Sequence, residues 1–109
     1  MSKKEIQKLP PNARMPVKIK ILELNGDYSG WQVKARVNPT IEQVGNIGSG
    51  DIDTTRKALA NILYEWNFVD EEGNPLNEPS EETTQKLPLD LVNAISTKIV
   101  EEITNLPKG

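Results

Sequence analysis

An α+β fold, with an N-terminal antiparallel β-hairpin packed against two main helices, is what the sequence predicts. Three observations predict it. Val17 to Leu24 and Trp31 to Val37 both alternate apolar and polar residues, the period of a half-buried strand. Asn25-Gly26-Asp27 lies between them and supplies a turn. Two later stretches repeat apolar residues at helical spacing.

Taken in order, residues 1–16 carry Lys3, Lys4, Lys8, Pro10, Pro11 and Pro16, a polar, basic and proline-broken stretch that reads as a flexible basic arm. Residues 17–109 read as a single α+β domain. In the first strand Val17, Ile19 and Ile21 are expected to face the core, with Lys18 and Lys20 turned to solvent. In the second, Trp31, Val33, Ala35 and Val37 face inward and Gln32, Lys34 and Arg36 outward. The hairpin would then show Lys18, Lys20, Lys34 and Arg36 as one basic stripe beside an exposed edge.

Asn38-Pro39 ends the second strand, and Thr40 can cap a short helical turn with Ile41 and Val44 before Gly45, Gly48 and Gly50 make the chain loop-like. Asp53 is the expected cap of a helix from Thr54 to Trp66, because Leu59, Ile62, Leu63 and Trp66 fall at i, i+3, i+4 and i+7. Phe68 and Val69 read as a short extended piece, turned by Glu71, Glu72, Gly73 and Asn74 and stopped at Pro75. Residues 77–86 read as polar linker. Pro88 suits the first turn of a last helix, Asp90 complements its positive end, and Val92, Ile95, Ile99 and Ile103 form its buried stripe, which Leu106-Pro107 ends.

Composition narrows the chemistry. The chain has 109 residues and neither Cys nor His. Thiol nucleophiles, disulfides, Ser-His pairs and the commonest zinc ligands are therefore absent from the repertoire, and no enzymatic activity, cofactor or metal is expected. No apolar run approaches the roughly 20 residues that span a bilayer, so no membrane association is expected and the cytoplasm is the expected location. Charge is divided along the chain: residues 1–36 carry eight Lys or Arg against three acids, and residues 37–109 carry five against thirteen. From Glu65 to Glu82 there are seven acids and no base, a stretch that repels phosphate, so nucleic acid is not an expected partner.

The remaining motifs are weak. Gly45, Gly48 and Gly50 precede a helix but match neither the dinucleotide nor the P-loop spacing, and Asp51 and Asp53 would repel an anion there. Asp51-x-Asp53-x-Thr55 opens like a calcium loop, yet its sixth position is Arg56 and its twelfth Ile62, where Gly and Glu are required. The acids fall in polar turns, which suits a solvated surface better than a desolvated pair of catalytic carboxylates. The basic hairpin face would meet an acidic protein patch as well as it would nucleic acid.

The run Tyr64-Glu65-Trp66-Asn67-Phe68-Val69-Asp70-Glu71-Glu72-Gly73-Asn74-Pro75-Leu76, followed by Leu87-Pro88-Leu89-Asp90-Leu91, resembles small tail proteins of long-tailed bacteriophages. Trp-Asn-Phe-x-Asp-x-x-Gly-x-Pro is its most specific piece, and Gly30-Trp31, Arg36 and Asn38-Pro39 extend it upstream. The resemblance implies a tail assembly chaperone, which keeps the tape measure protein soluble and helps recruit tail tube subunits. No catalytic motif comes with it. The candidate partner-binding residues are Lys18, Lys20, Lys34 and Arg36 with Trp66 and Phe68. A second reading is a structural virion component, such as a head-tail connector or capsid accessory subunit, which would place the chain in the virion. Self-association into a homo-oligomer is left open.

Overall fold

The computed structural model describes residues 9–11 and 13–104. The fold is α+β. Three antiparallel strands, β1 (Ile19–Glu23), β2 (Gln32–Arg36) and β3 (Leu63–Trp66), form a sheet in the order β1-β2-β3. Four helices accompany it: α1 (Ile41–Ile47), α2 (Ile52–Ile62), α3 (Glu81–Thr84) and α4 (Leu89–Thr104). Of the expected arm, residues 1–8 and 12 lie outside the described residues, while 9–11 and 13–16 belong to no helix or strand. The expected stop at Leu106-Pro107 also lies outside them.

The core lies between one face of the sheet and the helices. Leu22, Leu24, Val33, Ala35 and Val37 enter it from the hairpin, Leu59 and Ile62 from α2, and Leu91, Ile95 and Ile99 from α4. The stripe predicted for α4 holds: Val92, Ile95 and Ile99 are buried and Ile103 packs partly against the cluster.

The first strand is inverted relative to its sequence reading. Val17, Ile19 and Ile21 are about half exposed (50%, 48% and 58%), whereas Leu22 and Leu24 are buried. The register explains it. Leu22 pairs with Val33 and Lys20 with Ala35, so the even-numbered residues of β1 share the inward face of β2. Lys20 escapes desolvation because it lies at the margin of the core, where its ammonium pairs with Glu102 near the end of α4.

The expected helix 54–66 is also revised. It starts two residues earlier, at Ile52, because Asp51 and not Asp53 is the cap: its carboxylate accepts the Thr54 amide at 2.9 Å and the Thr54 hydroxyl at 2.6 Å. It ends at Ile62, and Leu63–Trp66 becomes β3 on the far side of β2. Lys34 pairs with Glu65 but Ala35 pairs with Leu63, which leaves Tyr64 as an extra residue in the strand. That bulge reverses the alternation. Leu63 and Trp66 thus both reach the core side although they are three residues apart, a spacing that reads as helical.

The short elements are set by caps. Thr40 accepts the Gln43 amide at 3.1 Å while the Gln43 side chain accepts the Thr40 amide at 2.9 Å, and α1 runs through Gly45 because Ile47 anchors it in the core. In the stretch expected as polar linker, Ser80 caps α3. Thr83 and Thr84 are buried there with their hydroxyls donated to the carbonyls of Glu78 and Ser80, both at 2.8 Å.

Candidate functional site

The tryptophan motif builds a loop hung from the end of β3. Asn67 clamps the loop to the start of β2: its amide donates to the Gln32 carbonyl at 3.2 Å and its Oδ1 accepts the Gln32 amide at 2.8 Å. Asp70 then organises the turn, its Oδ1 accepting the amides of Glu72 and Asn74, each at 2.9 Å. Gly73 sits at φ 87°, a left-handed conformation that a side chain would strain. The chain returns through a bridge between Val69 and Pro75 and a bond from the Leu76 amide to the Phe68 carbonyl at 3.0 Å. The Trp66 indole donates to the Asn77 carbonyl at 2.9 Å.

Four aromatic rings link this loop to the hairpin. Tyr28 meets Trp31 edge-on, Trp31 leans on Phe68, and Phe68 stacks on Trp66, with successive centroids 5.0 Å apart. Beside Tyr28 and Trp31 opens a groove of about 550 Å³, a size suited to a bound side chain or small ligand. Its apolar wall comes from Trp31, Leu76, Leu87 and Leu91, and its rim from Asp70, Glu71 and Glu72, with Lys86 the basic residue among those that line it. The Tyr28 hydroxyl donates to Asp90 Oδ1 at 2.8 Å. That bond, with the charges of Asp90 and Asp27 nearby, raises the phenol above its ordinary value of 10.0.

The six candidate residues do not converge on one surface. Lys34 and Arg36 share the uncovered face of the sheet, where Lys34 pairs with Glu65 and the Arg36 Nε donates to Asn38 Oδ1 at 3.2 Å. Lys20 lies on the opposite face with Glu102, and Lys18, whose carbonyl accepts the Val37 amide, follows Lys20 in phase. The expected four-residue basic stripe is therefore divided between two faces, because the strand register pairs Lys34 with Ile21 and Arg36 with Ile19. Phe68 is buried, and Trp66 is half-buried against it. Sequence reasoning did not single out the groove wall of Leu76, Leu87 and Leu91. The signal available was the acid-only run from Glu65 to Glu82, with Leu76 inside it and Leu87 just beyond.

Asp51 and Asp53 act as helix-terminal groups. The Asp51 carboxyl is held below its ordinary value of 3.8 by the Thr54 hydroxyl and amide, and that of Asp53 by the Arg56 guanidinium. Among the described residues no group of three or more carboxylates is placed to hold a metal ion, and no helix is long and apolar enough to cross a membrane. No family model matches the chain, and neither does any curated protein or solved structure.

Proposed function

We propose that the chain is a non-catalytic binding protein that acts as a phage tail assembly chaperone, holding the tape measure protein and tail tube subunits in the host cytoplasm during assembly. The observation that supports this reading best is the groove beside Trp31, with its apolar wall and a rim of Asp70, Glu71 and Glu72. Such a surface suits an apolar segment flanked by Lys or Arg, since the wall shields apolar side chains while the rim selects the flanking charge. The resemblance of the Trp66–Pro75 run to tail proteins supplies the partner class. Holding would proceed by mass action, without ATP.

The test is coexpression with a tape measure protein. The chain should raise its soluble fraction, and the double variant Glu71→Lys, Glu72→Lys should lose that effect while keeping its fold, because both side chains are exposed. Unchanged tape measure solubility with the wild-type chain overturns the proposal.

The reading as a structural virion component draws support from a different observation: β1 lies at the sheet edge, where strand addition to a neighbour can occur. Mass spectrometry of purified particles separates the two. A chaperone is absent from the mature virion, and a structural subunit is present at fixed stoichiometry.

A further inference from the structure

The groove beside Trp31 suits apolar side chains flanked by bases, and the chain carries such a segment itself. Lys8-Leu9-Pro10-Pro11 and Arg14 set an apolar, proline-stiffened run between two bases, and residues 1–16 hold four Lys or Arg against one acid. Adjacent prolines fix φ and favour the extended polyproline II helix, which loses little freedom on binding. The described residues of 9–16 are all exposed, Leu9 by 89% and Met15 by 83%, and none belongs to a helix or strand. Arg14 forms no ion pair among the described residues. Complementary chemistry lines the groove: Tyr28 and Trp31 give it an aromatic wall, Leu76 extends that wall, and Asp70, Glu71 and Glu72 form an acidic rim. Aromatic-lined grooves seat proline-rich segments, and an acidic rim favours the bases that flank them. The other end of the chain, Leu106-Pro107-Lys108, offers one base and one proline.

We propose that the groove receives the Leu9-Pro10-Pro11 segment of a second copy, with Arg14 of that copy beside the acidic rim. The proposal rests on the reading of the groove as a site for an apolar segment flanked by bases. Distance selects the second copy. Pro16 is fixed at the end of the hairpin remote from the groove: its carbonyl accepts the Asn38 side-chain amide at 2.9 Å, and the Lys18 carbonyl accepts the Val37 amide at 2.8 Å. Trp31 lies at the other end, where its carbonyl accepts the Leu24 amide. Pro16 precedes Leu24 by eight residues, roughly 26 Å at the rise of a strand. Helix α4 agrees: bonded to Tyr28 at Asp90 and to Lys20 at Glu102, it runs about 18 Å between the two, and Lys20 lies four residues beyond Pro16. Pro10 precedes Pro16 by six residues, about 19 Å in a polyproline II helix. The segment therefore stops short of its own groove. Arm and groove are different surfaces, so the contact is heterologous, and a copy that has given its arm still offers its groove to the next.

Sedimentation velocity of the full chain across a range of concentrations is the test. The mass of the wild type should rise with concentration, and rise less at high salt, because the pairing bases and acids are solvent-exposed. Arg14→Glu in the arm, and the double variant Glu71→Lys, Glu72→Lys at the rim, each set like charges against one another. Each should weaken self-association at least about tenfold. The far-ultraviolet dichroism spectrum should stay unchanged, because all three side chains are exposed. A mixture of the two variants reads the contact directly: one keeps an intact groove and the other an intact arm, so together they should form a complex containing both chains that neither forms alone. A wild type monomeric at every concentration overturns the proposal, whether its groove is empty or filled by its own arm. Self-association undiminished in either variant overturns it, as does a mixture that stays monomeric. The result is separable from that of tape measure coexpression. A self-associating chain that leaves the tape measure protein insoluble keeps the arm–groove contact and loses the chaperone reading, and a monomeric chain that solubilises it does the reverse.

Discussion

Arg56 offers a quantitative test of how the groove is held. Its side chain is buried (8% exposed) between α2 and α3, where it donates to the Glu81 carbonyl and, at 3.4 Å, to the Thr84 hydroxyl. It also pairs with Asp53 at 2.8 Å, but that carboxylate is well exposed, so the pair contributes little. Arg56→Met keeps most of the aliphatic stem and removes the donors. The Thr84 hydroxyl also lies 3.1 Å from the Glu81 carbonyl, but its one proton is shared with the Ser80 carbonyl at 2.8 Å, so the loss is at least that of a charge-assisted hydrogen bond, about 2 kcal/mol. For a domain of this size that lowers Tm by about 8 to 16 °C. Urea unfolding followed by the fluorescence of Trp31 and Trp66 should show a lower midpoint at constant slope. The loss should persist at 1 M salt, where the screening length is about 3 Å. A change under about 0.5 kcal/mol, or a loss that Asp53→Asn reproduces in full, refutes the assignment. Because α3 leads directly into Lys86 and Leu87, the same variant should also loosen the groove.

Three further outcomes follow from the fold. Leu22→Ala should cost about 2 to 5 kcal/mol in urea unfolding, and Val17→Ser less than about 0.5 kcal/mol; the reverse order would restore the alternation read from the sequence. Asp51 has a folded-state pKa below its unfolded value, so its stabilisation is complete above about pH 4 and fades as pH falls through the folded value. Asp51→Asn keeps a cap without titrating, and should reduce the acid dependence of the urea midpoint in that window. Tyr28 is shifted upward, so its neutral form is the one the fold favours: its contribution is present below pH 10 and is lost as pH rises through the folded value. Tyr28→Phe should remove that part of the alkaline destabilisation, and an identical alkaline profile would show that the bond to Asp90 does not contribute.

How much of this was legible depended on whether a local pattern had one physical solution. The last helix did, because Val92, Ile95 and Ile99 admit a single buried stripe. The hairpin was legible as two strands and a turn, but β1 carries apolar residues in both phases, Ile19 and Ile21 in one and Leu22 and Leu24 in the other. Only pairing with β2 chooses between them. The spacing of Leu59, Ile62, Leu63 and Trp66 had two solutions, a long helix or a helix followed by a bulged strand, and the open edge of β2 decided it. The groove was the least legible. Leu76, Leu87 and Leu91 come from a loop, a helix end and a helix, and nothing local in the sequence says that they meet around Trp31.

The division of charge along the chain takes on a different meaning in three dimensions. Read linearly, the basic first third suggests a cationic surface for an acidic partner. In the fold, two of its lysines are neutralised by acids from the second half, Lys20 by Glu102 and Lys34 by Glu65. Part of the asymmetry is thus spent inside the domain, where it ties the hairpin to α4 and to β3. The acids around the groove take no part in this: Glu71 and Glu72 form no ion pair among the described residues, and Asp70 uses its Oδ1 to hold backbone amides. The surplus at the groove beside Trp31 is therefore negative. A partner selected there carries Lys or Arg beside its apolar side chains, and its on-rate should fall as salt rises, while the burial that holds it should not.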